Sequence, residues 1–574
     1  METRHNFLTL RQCAVVLAGL TLHVAISAPA TAQIWGEEEA LKGYKRDIAR
    51  KPFKYNTRGW MVLARSGQSK PLQILMRDYG KPKALATRTL SALLVADHAR
   101  YAIAGLLGSY YDNWTWEDKL AALRGKYKKK TDVWLWVNTI AVDGRAEAMA
   151  RTISIVKDAD DILLRAAAIE AMAWRERREV LGLIPGVIAK FPKAKQLGER
   201  RLLVGALSSA ILAHKSFLKE DDMQKAIRAY IGLLAKGVKL SHSGKMVIAR
   251  YLAKTIGKDR RYIEPEPWIQ LLDQEFEPPK RAGNTVTTLR FFGIEAEGDR
   301  ICYLVDMSNS MLKPIDPALL PKGPITGKKR KRKKGQLPTE DDIPWHLVKT
   351  RFDLARWHLK ISMQRLTKDK RFCVVWFGDE SGLFKATPGM IKASRTNVKK
   401  VIKELDGIKA GPLPKGLAKI DAPNGWLRGQ TNTHGGLRRA FAMRAKGFAD
   451  RHEYVDMKAM AQGCDTIFLL SDGAPSIDDF VIPDKDYGED KVVAELEYGR
   501  EMPRPAIIIY HGPMDQPRWL RQDIRRMNVF RKVQIHCIGI GDADIGLLRG
   551  IASDSEGQVY LFGAKAKASG RRRK

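Results

Sequence analysis

The chain has 574 residues, a formal net charge of +36 and a hydrophobic content of 44%. This length exceeds one ordinary hydrophobic core and predicts about two to four domains. The hydrophobic and aromatic content excludes a wholly disordered protein. The excess of basic residues makes nucleic acid, acidic polysaccharide or an anionic membrane surface candidate partners.

The amino terminus has the pattern of an export signal. Arg4 and Arg11 precede the apolar run CAVVLAGLTLHVAIS, which ends in APATA before Gln33. A charged region, an apolar region and a small-residue cleavage site predict a signal peptide over residues 1–32, cleaved after Ala32. The protein is then secreted or periplasmic. The apolar run is short for a membrane-spanning helix, which needs about 20 residues, and an uncleaved membrane anchor is the alternative.

Residues 33–280 carry apolar side chains at spacings of three and four, as in DDILLRAAAIEAMAWRERREVLGLIPGVIAKF, which predicts α-helices almost throughout. Short paired helices of this kind stack into solenoids, and DDILLRAAAIEAMA resembles a helix of a HEAT-like repeat. The tryptophans of NWTWEDK and DVWLWVN are expected to pack between helices. The helical pattern ends at FEPPKRAGNT, and residues 281–297 are predicted to be a linker.

A different pattern begins at residue 298. The apolar runs RICYLV, RFCVVWF, TIFLL, VQIHCIGIG and QVYLF alternate with amphipathic segments, the first of which is predicted to be a helix beginning near Trp345. Apolar runs separated by helices indicate a parallel sheet covered on both faces. The prediction is a doubly wound α/β domain over residues 298–565, followed by a basic tail over 566–574. The fold class of the whole chain is therefore α plus α/β.

Four cysteines follow the predicted signal peptide, at Cys302, Cys373, Cys464 and Cys537, and none belongs to a C-x-x-C pair. Three of them lie inside the apolar runs, which predicts buried apolar side chains rather than a zinc or redox site. Successive strands of a parallel sheet are not expected to bring these cysteines together for a disulfide.

Three loops of the predicted sheet carry oxygen ligands: DMSNS, GQTNT and LLSDGAPS. Because ligands bind beyond the carboxyl ends of parallel strands, these side chains are expected to converge there. The five candidate metal ligands are Asp306, Ser308, Ser310, Thr431 and Asp472. Oxygen ligands without His or Cys favour Mg²⁺, with Mn²⁺ or Ca²⁺ as alternatives. Two carboxylates would balance one divalent cation, and an open coordination position could accept a carboxylate from a protein ligand.

The order D-x-S-x-S, a loop threonine and D-G after an apolar strand resembles the metal-ion-dependent adhesion site of von Willebrand factor type A domains. The resemblance extends through CVVWFGD, IHCIGIGD and GQVYLF, from about residue 298 to 563. It implies that Asp306, Ser308 and Ser310 form the first metal loop. It also implies Thr431, with Thr433 as the alternative, and Asp472 in the second and third loops.

Asn309 stands where the family usually has glycine in the first loop. Asparagine tolerates positive φ better than most residues, so the same tight turn is expected. His434 is a candidate to line the metal site. The residues expected near the bound ligand are Asn309, Thr433, His434 and Gly473.

An insertion over residues 313–344 separates the first metal loop from the next predicted helix. It contains GKKRKRKKG and several prolines, which are typical of a flexible flap. The positive electrostatic potential of this insertion would attract acidic partners to the metal site. Its basic side chains could also compete with the cation. The candidate polyanion-binding residues are Lys328, Lys329, Arg330, Lys331, Arg332, Lys333 and Lys334.

These patterns predict an exported adhesion or scaffold protein whose bound cation bridges to an exposed Asp or Glu of a protein ligand, with no small-molecule substrate. The chain has no G-x-S-x-G, H-E-x-x-H or Walker A motif, so no enzyme activity is expected. Two alternatives remain open. The first is a polyanion- or cell-envelope-binding surface protein with a vestigial metal site. The second is a metal-dependent hydrolase.

Overall fold

The structure is a computed structural model. The residues that it describes are 37–48, 70, 74, 146–257, 261–273, 289–296, 298–321, 337–408, 427, 429–449, 455–478, 482–484, 508–510 and 517–563. The predicted signal peptide, the stretches NWTWEDK and DVWLWVN, the basic run 328–334 and the tail 566–574 lie outside the described residues.

The helices in the described ranges are α1 Glu37–Ile48, α2 Ala146–Asp158, α3 Ile162–Trp174, α4 Glu179–Ala189, α5 Leu197–Ala213, α6 Asp221–Gly232, α7 His242–Ile256, α8 Glu266–Leu272, α9 Arg351–Gln364, α10 Arg395–Asp406, α11 Thr433–Phe441, α12 Met457–Gln462, α13 Pro517–Asn528 and α14 Ile545–Asp554. The strands there are β1 Leu289–Phe291, β2 Ile294–Ala296, β3 Arg300–Asp306, β4 Arg371–Phe377, β5 Ser381–Leu383, β6 Ile391–Lys392, β7 Thr466–Ser471, β8 Ile482–Asp484, β9 Ile508–Tyr510, β10 Gln534–Ile540 and β11 Val559–Phe562. The five strands that the sequence predicts are present in the predicted order as β3, β4, β7, β10 and β11, together with short strands that it does not predict. None of the described helices combines the length and apolar character that crossing a membrane requires.

The helices from α2 to α8 form two rows. In one row α3 packs on α5 and α5 packs on α7; in the other α2 packs on α4, α4 on α6, and α6 on α8. Each helix from α2 to α6 therefore contacts the helix two places further along the chain. Their apolar faces meet in one continuous core, which includes Leu203, Ile227 and Leu252.

The seven-stranded sheet is mostly parallel. Its order is β11-β10-β7-β3-β4-β5, and β6 also pairs with β4. β11, β10, β7, β3 and β4 run parallel, whereas β5 and β6 pair antiparallel with β4. The chain adds β4 on one side of β3 and β7 on the other, so the strand order reverses at β3.

Helices cover both faces of this sheet. Tyr303 of β3 belongs to a core that includes side chains of α9 and α10. The next residue, Leu304, belongs to a second core with side chains of α11, α13 and α14. Because successive residues of a strand point to opposite faces, β3 contributes to both cores and is buried along nearly its whole length.

The helical part contacts the sheet part at the amino ends of the strands. The segment 529–533 leads into β10, and Phe530 packs in the helical core. Arg201 of α5 donates from Nη2 to the carbonyl of Arg531 at 2.9 Å. A Cβ on Gly205 of α5 would lie 2.1 Å from the carbonyl oxygen of Phe530, so the two backbones approach as closely as a glycine permits.

A second contact lies before β11. The carboxylate of Glu556 is 3.0 Å from Nε of Arg250 and 3.1 Å from Nζ of Lys254, both on α7. The helical part therefore holds the edge of the sheet where its parallel strands begin. The carboxyl ends of those strands lie at the opposite edge.

Part of the predicted linker is an ordered hairpin. Within residues 281–297, β1 pairs antiparallel with β2. Phe291 packs edge-on against Tyr303 and Phe468, with ring centroids 5.4 and 5.2 Å apart. The linker prediction is wrong for residues 289–296, because two consecutive phenylalanines anchor this segment in the core.

The helix expected from Trp345 begins later, at Arg351. Thr350 caps it, since its side chain accepts from the backbone of Asp353 and Asp353 accepts from the backbone of Thr350. Trp345–Leu347 forms a separate 3₁₀ turn. The described parts of the insertion also contain 3₁₀ turns, at Pro317–Leu319 and Glu340–Asp342.

The four cysteines are buried and free, which confirms their predicted apolar character. The expectation that the strands keep all of them apart is wrong for one pair. Cys302 of β3 and Cys373 of β4 occupy the same register on adjacent strands. Register between strands is not encoded locally, so the sequence could not show this proximity.

Candidate functional site

The candidate metal ligands lie at the carboxyl ends of β3 and β7, which are neighbours in the sheet. Asp306 is the last residue of β3, and Asp472 follows the last residue of β7. Both carboxylates are 0% exposed. Buried carboxylates are costly unless they are hydrogen-bonded or paired, so their surroundings define what this site can hold.

Hydrogen bonds fix both carboxylate oxygens of Asp306. Its Oδ1 accepts from the backbone N–H of Ser308 at 2.9 Å, and its Oδ2 accepts from the hydroxyl of Ser471 at 2.9 Å. The hydroxyls of Ser308 and Ser310 are 2.9 Å apart, and Ser310 donates to Oδ1 of Asp472 at 2.6 Å. One continuous network therefore joins the two carboxylates through the hydroxyls of the first loop.

Thr431 belongs to the second loop, which hydrogen-bonds to both other loops. Its N–H donates to the hydroxyl of Ser476 at 2.9 Å, and its carbonyl accepts from the N–H of Ser476 at 3.0 Å. The N–H of Asn309 donates to the carbonyl of Gly429 at 3.1 Å. The three loops are thus locked together by their backbones, and Thr431 is only 6% exposed.

Gly473 leaves space beside the hydroxyls. A Cβ at this position would lie 3.9 Å from Oγ of Ser310 and 3.9 Å from Oγ1 of Thr431. The hydroxyls of the first and second loops therefore approach the same small volume next to Asp472. Gly473, which is predicted to lie near the bound protein ligand, thus lies beside two of the candidate metal ligands.

Repulsion between the two buried carboxylates is a feature that a bound cation would relieve. Burial, and then the negative charge of Asp472, raises the pKa of Asp306 from 3.8 to about 7, while hydrogen bonds from Ser308 and Ser471 oppose the change. A divalent cation between the carboxylates would remove this repulsion. Two carboxylates and three hydroxyls are also the hard oxygen donors that Mg²⁺ prefers. The residues present therefore fit a divalent cation.

Nitrogen and sulfur ligands do not contribute to this site. Within the described ranges, no group of three or more His, Cys, Asp or Glu side chains is placed to hold a metal ion. The fit to a cation rests on hydroxyls combined with two carboxylates, which is a hard-metal donor set.

Asn309 does not adopt the tight turn expected from the glycine of the family. It begins a 3₁₀ helix, Asn309–Leu312, and it is not among the described residues with positive φ. The expectation of positive φ is therefore wrong. The 3₁₀ helix provides hydrogen bonds for the backbone of the first loop, so this loop does not need a residue with left-handed backbone angles at this position.

His434 makes a buried hydrogen bond with a side chain of α13. Its Nε2 is 2.6 Å from Oδ2 of Asp523 on α13, and Nη2 of Arg526 is 2.9 Å from the other oxygen of that carboxylate. All three side chains are 0% exposed. The structure therefore shows His434 bonded to Asp523, whereas the sequence predicts that His434 lines the metal site. Thr433, the alternative ligand, begins α11 and is 2% exposed.

Asp379 is a site residue that the sequence prediction missed. It follows β4, and its side chain accepts from the backbone N–H of Gln430. Gly429 has φ +74, and a Cβ there would lie 2.2 Å from Oδ2 of Asp379. Asp379 therefore shapes the loop that presents Thr431. The sequence FGDE, directly after an apolar strand, is the signal that could have identified it.

Arg351 and Asp542 were also missed. Nη1 of Arg351 is 2.9 Å from Oδ2 of Asp472, and its Nη2 is 2.7 Å from Oδ2 of Asp542. Hydrogen bonds from Arg351 and Lys313 hold the pKa of Asp542 below its usual value. These partners are distant in sequence, and no local pattern predicts their contact.

A scan against protein-family models and a search of curated proteins found no match to this chain. The geometry of the three loops and the sequence motifs that they carry are therefore the features that bear on function.

Proton release should accompany metal binding. In the metal-free folded protein the pKa of Asp306 is raised to about 7, so its proton stabilises the folded state at low pH and this contribution is lost as the pH rises through 7. A cation needs the carboxylate and must displace that proton. We expect Mg²⁺ affinity, measured by calorimetry, to be about tenfold weaker at about pH 6 than at about pH 8. An affinity that is constant over this range would contradict the prediction.

Proposed function

We propose that this chain is a divalent-cation-dependent protein-binding protein, an adhesion or scaffold protein whose cation bridges to an acidic residue of its ligand. The observation that carries the proposal is the network of Asp306, Ser308, Ser310 and Asp472 at the carboxyl edge of the sheet, with Thr431 directed to the same volume. We further propose that the sheet part is a von Willebrand factor type A domain. The strand order and the helices on both faces support a doubly wound, Rossmann-like fold of this kind.

Mg²⁺, or else Mn²⁺ or Ca²⁺, is the proposed resident cation. The carboxylates of Asp306 and Asp472 and the hydroxyls of Ser308, Ser310 and Thr431 would hold it. When bound, the cation supplies a Lewis-acidic position that a carboxylate of a protein ligand can occupy. The protein orients these ligands through the backbone N–H of Ser308 and the hydroxyl of Ser471.

The helical part is proposed to be a HEAT-like scaffold. Its two rows of helices, each packed on the helix two places along, support this interpretation. It contacts the sheet part at the segments before β10 and β11, at the edge opposite the candidate metal site. A protein ligand of moderate size could therefore approach the cation without displacing the scaffold. The amino-terminal pattern supports secretion or a periplasmic location for this activity.

The test is Mg²⁺-dependent stabilisation and capture of a ligand. At a Mg²⁺ concentration of about 100 times its Kd, the wild type should gain about 2.7 kcal/mol of stability, seen as a rise in Tm. Asp306→Ala and Asp472→Ala should lose that rise, because each removes one carboxylate ligand. Asp221→Ala is the matched control, since the Asp221 side chain is 81% exposed on α6 and should leave the rise unchanged.

The same proteins then serve as bait for an extracellular or periplasmic fraction. Capture that requires Mg²⁺, disappears with EDTA and is absent in both aspartate variants would support the proposal. If Asp306→Ala and Asp472→Ala both keep the Tm rise and still capture the ligand, the proposal is refuted.

Polyanion binding is the second candidate function, and the net charge of +36 with the basic run 328–334 favours it. Binding through these residues should weaken steeply with salt and should not respond to EDTA. Metal-bridged binding should show the opposite dependence. Turnover of a substrate that Asp306→Ala abolishes would instead support the remaining alternative, a metal-dependent hydrolase.

A further inference from the structure

Arg351 places a fixed positive charge next to one of the proposed metal ligands. Its Nη1 donates to Oδ2 of Asp472 at 2.9 Å and to the backbone carbonyl of the same residue at 3.2 Å. The other oxygen of Asp472 accepts from Ser310. Asp472 is therefore clamped between a cationic side chain and a hydroxyl of the first metal loop.

The protein builds a specific place for this guanidinium. Arg351 is the first residue of α9 and only 7% of it is exposed. Gly541 has φ +64, and a Cβ there would lie 2.5 Å from Cζ of Arg351. Nη2 of Arg351 bonds to Asp542, which also receives Nζ of Lys313 at 3.3 Å. The arginine is held by loops after β7 and β10 and by the start of the insertion.

Arg351 changes the charge balance of the site. When both are ionised, the buried carboxylates of Asp306 and Asp472 carry two negative charges, and Arg351 carries one positive charge. Outside them, Asp542 and Lys313 offset each other. A divalent cation would then leave one net positive charge, whereas the two aspartates alone would leave none. Such a site holds its cation less tightly alone and attracts an anion more strongly.

We infer that Arg351 is a specificity-determining residue that weakens binding of the cation alone and couples cation binding to binding of a carboxylate ligand. This inference rests on the proposed function, because it assumes that the five oxygen ligands hold a cation. It adds the regulation of the site, because the cation and the acidic ligand are expected to bind cooperatively. The bound cation leaves one net positive charge, and the carboxylate of the ligand neutralises that charge. The coupling is reciprocal, so a carboxylate must raise cation affinity by the same factor as the cation raises carboxylate affinity.

The experiment measures Mn²⁺ binding to the full chain by calorimetry at about pH 8, first with Mn²⁺ alone and then with acetate as the simplest carboxylate probe. Arg351→Gln removes the charge and should tighten binding of Mn²⁺ alone by about tenfold, while reducing the enhancement by acetate. Arg351→Lys keeps the charge but loses the planar group that bonds to Asp472 and Asp542 at once, so it is the charge control and should bind Mn²⁺ alone no more tightly than the wild type.

Asp542→Asn provides a second variant with the opposite expected sign. Asp542 is 71% exposed by side chain, so the substitution should fold, and it removes part of the counter-charge of Arg351. Mn²⁺ affinity should fall by about threefold. A role of Arg351 that is only structural predicts weaker binding in both Arg351→Gln and Asp542→Asn, because each breaks the clamp on Asp472.

The outcomes separate this inference from the proposed function. No Mn²⁺ binding by the wild type, or equal binding by Asp306→Ala, would overturn the proposed function and the inference with it. Metal binding by the wild type together with unchanged or weaker binding by Arg351→Gln would overturn only the inference. The same holds if Arg351→Lys tightens binding as much as Arg351→Gln. Opposite shifts in Arg351→Gln and Asp542→Asn support it.

Discussion

Gly205→Ala should lower the stability of the contact between the helical and sheet parts by about 3 kcal/mol. The added Cβ would lie 2.1 Å from the carbonyl oxygen of Phe530 and 2.8 Å from its carbonyl carbon. Both obstacles are backbone atoms, so no side chain can move away, and α5 must separate from the segment 529–533. Hydrogen exchange of the amides in that segment and the Tm of the chain would measure the loss.

Gly182→Ala is the matched control for this substitution. Gly182 lies inside α4, and a Cβ there would meet nothing within 4 Å. Alanine is a better helix former than glycine, so this variant should be more stable by about 0.5–1 kcal/mol. Equal effects of the two substitutions would show that the close approach of α5 to Phe530 does not hold the two parts together.

Local sequence patterns were sufficient to predict the main elements of the sheet. The apolar runs before Asp306 and Asp472 are long and uninterrupted, and each forms a strand of the parallel sheet. The first loop of the proposed metal site could be predicted directly, because its three candidate ligands lie within five consecutive residues. These features depend on local periodicity and spacing, which a single sequence contains.

Features that depend on distant contacts could not be read in the same way. β5 and β6 are two or three residues long, too short for periodicity to reveal them. The start of α9 was misplaced because the capping residue Thr350 follows a 3₁₀ turn that is itself apolar. Arg351 meets Asp542 across 191 positions of the chain, and only the folded sheet brings them together.

The same limit applies to the function of Asn309 and His434. Asn309 stands where von Willebrand factor type A domains usually have glycine, but its backbone forms a 3₁₀ helix that needs no glycine. His434 lies close in sequence to Thr431, yet its imidazole pairs with Asp523 on a helix almost ninety residues later. Proximity in sequence places a residue near a loop, whereas side-chain direction is set by tertiary packing.

Glu170→Gln should destabilise the same contact between the two parts by about 3 kcal/mol, because it leaves a buried lysine without its counter-charge. Oε1 of Glu170 is 3.3 Å from Nζ of Lys532, and the two side chains are 3% and 10% exposed. Burial raises the pKa of Glu170, against the attraction of Lys532 and hydrogen bonds from Ser209 and Trp174. The pair is therefore desolvated, and each charge depends on the other.

A double-mutant cycle would measure that dependence. Lys532→Met alone should also be destabilising, since it leaves the buried carboxylate unpaired, whereas Glu170→Gln with Lys532→Met should recover much of the loss. The exposed pair Asp221 and Lys225 on α6 is the matched control, with side chains 81% and 71% exposed. Its cycle should give a much smaller coupling energy than that of the buried pair, because water screens both charges. A cycle for Glu170 and Lys532 as small as that of the exposed pair would mean that the ion pair contributes nothing to docking, leaving the backbone contact at Gly205 to hold the helical part on the sheet.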